Sequence, residues 1–78
     1  MTERDRIDIG AVAYFEAAQH ILSTLIGYAI PRAANDAHWA RQLDQWTQQL
    51  NNLTPSDKAA IARVHMVDAA TLARLVSL

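Results

Sequence analysis

The stretch AVAYFEAAQHILSTLIGYAI, residues 11–30, decides the fold. Ala11, Tyr14, Ala18, Ile21, Leu25 and Tyr28 recur at spacings of 3, 4, 3, 4 and 3, and Val12, Phe15, Leu22, Ile26 and Ala29 fill the adjacent row. Apolar residues at that period make a wide stripe along one side of an α-helix, and the stripe predicts a helix over residues 8 to 30. Asp5 or Asp8 is the expected cap at its start. Pro31 disfavours helical geometry at Ile30 and is expected to end the helix there. Gly27 weakens the last turn and leaves room for a close neighbour. A transmembrane helix needs about 20 predominantly apolar residues, and Glu16, Gln19, His20, Ser23 and Thr24 interrupt this run.

Downstream, Asn35 or Asp36 is the expected cap of a second helix. Its apolar residues Trp39, Leu43, Trp46, Leu50 and Leu53 form a narrow seam at spacings of 4, 3, 4 and 3, with glutamines on the remaining faces. Asn51 and Asn52 tolerate the left-handed conformation that often closes a helix. In LTPSDK, Thr54 is the expected cap, Pro55 the first helical residue and Asp57 the third residue of a capping box. The third helix then carries Ile61 and Val64. Continued without interruption, it would place His65 and Asp68 on its buried stripe, so a break near Met66 to Asp68 is expected, with Asp68 capping a fourth helix. The fold class expected is all-α: a small four-helix domain over residues 1–78, one long N-terminal helix packed against three shorter ones.

Bulk composition bounds the function. A chain of 78 residues hides only about 60% of the surface its unfolded form exposes. Fifteen of its apolar residues are alanine, which adds little buried area. There is no cysteine, hence no disulfide and no thiolate metal site. Self-association is therefore one route to a larger core. Seven Lys and Arg against eight Asp and Glu argue against nucleic acid or a membrane surface as partner. The opening MTERDRIDIG mixes both signs and does not read as the positive region of a signal peptide, so a soluble, cytoplasmic protein is expected.

Catalytic chemistry has little support. Ser23, Ser56 and Ser77 stand outside any glycine-rich turn, and two glycines cannot build a phosphate-cradling loop. Glu16 and His20 share a helix face, with His38 and Asp36 as the candidates to approach from the next helix, yet a metal site needs three or four converging ligands. Neither a metal nor a cofactor is expected, and the protein is expected not to be an enzyme.

Residues 61–76, IARVHMVDAATLARLV, resemble a helix-turn-helix of the kind found in bacterial repressors. Ala62 matches the small residue of its first helix, Val67 the hydrophobic residue after the turn and Asp68 the cap of the recognition helix. Thr71, Leu72 and Arg74 resemble that helix's usual composition. The resemblance implies a DNA-binding transcriptional regulator, with Arg63, Thr71 and Arg74 as contacts. The turn position usually held by glycine is Met66, where a positive φ is unfavourable. From Asn51 onward Lys58, Arg63 and Arg74 face Asp57 and Asp68, a thin excess for a binder of phosphates. The preferred expectation is a non-enzymatic protein–protein interaction module (an adaptor, inhibitor or regulatory subunit) acting on another protein or as a homo-oligomer, a homodimer in the simplest case. Trp is enriched at interface hot spots, so the expected contact region is Tyr28, Trp39, Leu43 and Trp46, with Arg41 at its rim.

Overall fold

The computed structural model describes residues 2–77 and is all-helical, with no strand among them. Helix α1 spans Thr2–Ala33 and α2 spans Ala37–Asn52. A third helix, α3, covers residues 58–76 without a break: an α-helical segment Lys58–Arg63, a π turn Val64–Asp68 and a second α-helical segment Ala69–Val76. The expected four helices are therefore three, the last two being joined.

Helix α1 is longer than its apolar stripe required. It starts at Thr2, so Asp5 and Asp8 stand within the helix rather than at its start, and their side chains lie outside the described part. At the other end it runs through Pro31 to Ala33. A proline so near the terminus removes only the hydrogen bond back to Gly27. Gly27 itself is exposed. Arg32 then closes the helix by donating from Nη1 to the Tyr28 carbonyl at 2.7 Å, a cation placed where the helix dipole favours one. No side chain would meet a methyl group on Gly27: an ideal Cβ there has nothing within 4 Å. Gly27→Ala should accordingly raise the unfolding free energy by about 0.5–1 kcal/mol, visible as a higher urea midpoint with an unchanged slope.

Asp36 caps α2 as expected, its carboxylate accepting from the His38 N–H at 2.8 Å. The far end of α2 differs. Leu53, in an extended conformation, closes it by donating its N–H to the Leu50 carbonyl. Among the described residues no non-glycine φ is positive, so neither Asn51 nor Asn52 is left-handed. The start of α3 also shifts. Asp57 donates its N–H to the Thr54 carbonyl at 3.1 Å, which makes Thr54–Pro55–Ser56–Asp57 a tight turn with proline at its second position. Asp57 is itself the cap, its carboxylate accepting from the Ala60 N–H at 3.1 Å. Thr54 and Asp57 compete for one helix start, and the turn-forming proline hands it to the second.

The core is one cluster of Ala18, Leu22, Leu25 and Ala29 from α1, Trp46 from α2, and Ile61 and Val64 from α3. Around it pack Phe15, Ile21, Ile26, Trp39, Leu43, Leu50, Leu53, Leu72 and Leu75. The seam of α2 thus faces inward along its whole length. The stripe of α1 is covered over residues 15–29, with Val12, Tyr14 and Ile30 exposed beyond it. Length explains this: 32 residues of α1 span about 48 Å, whereas the 16 of α2 span about 24 Å. The molecule is correspondingly elongated, 53 × 25 × 17 Å.

The joined third helix follows from two polar side chains that find distant partners. Asp68 is only 6% exposed and accepts from Gln49 Nε2 at 3.0 Å. It caps nothing. His65 stacks flat on Tyr14, ring centroids 3.9 Å apart, and its Nε2–H donates to the Tyr14 carbonyl at 2.9 Å. Burying a polar group is costly only when it is left without a hydrogen bond. With both groups satisfied, the helix has no reason to break, and its irregularity is a π turn in which the Ala69 N–H reaches the Val64 carbonyl five residues back.

Candidate functional site

Helices α2 and α3 each pack on α1, and the space between them is open to solvent. His38 and Trp39 of α2 line that space with Arg63, Arg74 and Leu75 of α3, and Gln49 reaches across it to Asp68. These residues line a cleft of about 360 Å³, together with Gln42, Gln45, Trp46, Val67 and Thr71. A second cleft of about 470 Å³ continues toward Asn52 and Asp57, and both clefts share Gln45, Gln49 and Arg63. The result is a groove along the α2–α3 seam.

The groove has a chemical order that the helical period explains. His38, Gln42, Gln45, Gln49 and Asn52 are spaced 4, 3, 4 and 3, one position behind the apolar seam of α2. With that offset the seam faces the core and the polar row faces α3. The opposite wall is Arg63, Val67, Thr71, Arg74 and Leu75 from α3. Asp68 lies at the floor with one carboxylate oxygen held by Gln49. No buried side-chain oxygen or nitrogen in the described residues lacks a partner.

The two indoles sit at one end, edge to face, with ring centroids 6.4 Å apart. Their roles differ. Trp46 is 5% exposed and belongs to the core, while Trp39 is half-buried. Behind Trp39, the Arg32 guanidinium lies 5.4 Å from its ring centroid and 5.2 Å from that of Tyr28. That cation–π clamp joins the end of α1 to the start of α2.

The contact region expected from sequence is therefore divided. Trp39 and Trp46 line the groove, Tyr28 belongs to the Arg32 clamp, Leu43 packs on the core, and Arg41 is exposed and lines neither cleft. A 4-3 spacing places residues on one helix but says nothing of which neighbour each side meets. The helix-turn-helix geometry is not formed, because residues 61–76 are one helix and the turn at Met66 is a π turn with right-handed backbone. Arg63, Thr71 and Arg74 instead line the same groove as the indoles. Arg32 and Gln49 are not among the residues the sequence singles out, and Asp68, expected as a helix cap, is instead a groove residue held by Gln49. The amide row at 4-3 spacing is the signal for Gln49, and nothing local marks Arg32.

Glu16 and His20 are exposed on α1, and among the described residues no three His, Asp or Glu side chains gather in metal-binding range. No helix of the described residues is long and apolar enough to cross a membrane. Compared with known protein families, curated proteins and solved structures, the chain matches none.

Proposed function

We propose that this protein acts by binding another protein through the α2–α3 groove, as a non-enzymatic module of the adaptor, inhibitor or regulatory kind. The observation that supports this reading best is the convergence of two Trp and two Arg on one open cleft of about 360 Å³. Trp and Arg are the residues most enriched at interface hot spots. Exposed Val67 and half-buried Leu75 and Trp39 add apolar area to the cleft. The partner is a different protein or a second copy of the chain.

Photo-crosslinking separates these outcomes. A photoreactive residue placed at Thr71, inside the groove, should give a discrete adduct in the cells that make the protein. The same residue at Arg41, outside it, should give none. An adduct of twice the chain mass identifies a second copy. Equal labelling from both positions, or none from Thr71, removes the groove as the binding surface.

A further inference from the structure

We infer that the N-terminal part of α1, upstream of Phe15, is a pairing arm that takes the same arm of a second copy of this chain, side by side and antiparallel. This surface lies apart from the α2–α3 groove, and the inference does not rest on groove binding. Its basis is area. A folded monomer of this mass, 8.7 kDa, exposes about 4,700 Å², whereas this chain exposes 5513 Å². The excess of about 800 Å² is what each side of a standard protein–protein interface covers. The mass is spread as well. The radius of gyration is 14.3 Å, against about 11.5 Å for a compact domain of 78 residues.

The core and the side chains packed on it begin at Phe15, while residues 10–14 are all exposed. Thr2–Tyr14 is about 20 Å of helix upstream of that point. The apolar register does not stop where the cover stops. Ile7, Ala11 and Tyr14 hold the positions before Ala18, Ile21, Leu25 and Tyr28, at spacings of 4, 3, 4, 3, 4 and 3. A repeat of that period, kept for three heptads, is the register of a helix lying along another helix. A second copy brings the same register and the same excess of area, so one contact covers both. Charge agrees with this occupant. Glu3, Arg4, Asp5, Arg6 and Asp8 alternate in sign. A partner of single sign meets as much repulsion as attraction there, whereas a copy of the arm sets acids against bases.

Direction follows from sterics. Helices α2 and α3 sit on the apolar side of α1. A parallel pair of arms, meeting on that side, would press the two sets of helices into one another, and an antiparallel pair keeps them at opposite ends. The contact is then two-fold and self-complementary. In dilute solution the arms part, and residues 10–14 are bare.

Sedimentation of the intact chain over a wide concentration range tests this. The mass should rise from 8.7 kDa toward twice that value, and Ala11→Arg should raise the dissociation constant at least tenfold. Ala13, two positions further and on the far side of the helix, is equally exposed, and Ala13→Arg should change it less than threefold. Circular dichroism checks the fold of both variants. The chain has no cysteine, so a spin label on Ser23→Cys reports one distance per dimer. Antiparallel arms place the labels about 40–50 Å apart, and parallel arms place them within about 30 Å. A monomer at every concentration, the shorter distance, or equal weakening by both arginines would overturn the inference and leave groove binding standing. A dimer that survives Ala11→Arg and is lost in Thr71→Trp would also overturn it, and would give the groove to the second copy.

Discussion

Trp46→Ala lowers the unfolding free energy by about 3–5 kcal/mol, the usual cost of truncating a buried aromatic residue to alanine, and Trp39→Ala costs far less. The two indoles differ in burial, and that difference sets the expected outcome. Trp46 is enclosed with Leu22, Leu25 and Val64 in the single core cluster. Its removal leaves a cavity that three helices must share. A chain of 78 residues has about 4–12 kcal/mol of stability at the typical 0.05–0.15 kcal/mol per residue, so the loss is a large share of the total. Trp39 is half-buried, and its replacement forfeits an edge-to-face contact and one side of the Arg32 clamp, together about 1–2 kcal/mol. Urea titration of the two variants measures both. Equal midpoints would show that the indoles do not divide the work between core and groove.

Leu22→Ala is the second large effect, about 2–5 kcal/mol. Leu22 is fully buried at the centre of the α1 row that the other helices cover. Ile30 stands on the same helix two turns further on and is 58% exposed, so Ile30→Ala should fall within about 0.5 kcal/mol of wild type. The pair tests where the covered part of α1 stops. A loss at Ile30 comparable with that at Leu22 would mean that something seals the end of α1 in solution, and sedimentation over a range of concentrations would show whether a second copy does so.

What was legible in the sequence was whatever the helical period controls locally. The row Ala18, Leu22, Leu25 and Ala29, the inward seam of α2 and the Asp36 cap all lie where spacing and capping chemistry put them. What was not legible depended on distant partners. Asp68 is buried because Gln49, 19 positions earlier, donates to it, and His65 is held by Tyr14, 51 positions away. A local reading sees two polar residues on a buried stripe and breaks the helix there. The groove was missed for a related reason. Trp39 and Trp46 were visible as a pair, and Arg63, Thr71 and Arg74 as a trio, but only the docking of α2 and α3 side by side on α1 makes them one surface.

The mismatch in length between α1 and its neighbours has a consequence for amide hydrogen exchange. Residues 18–29 carry the buried row of α1, and their amides should open only when the whole molecule unfolds. Residues 10–14, on the same helix, are exposed on every side chain and should exchange through local fraying. One unbroken helix would then show two protection levels, with the step near Phe15, where His65 on the π turn clasps the preceding turn. Removing that clasp with His65→Ala should move the step toward Ala18.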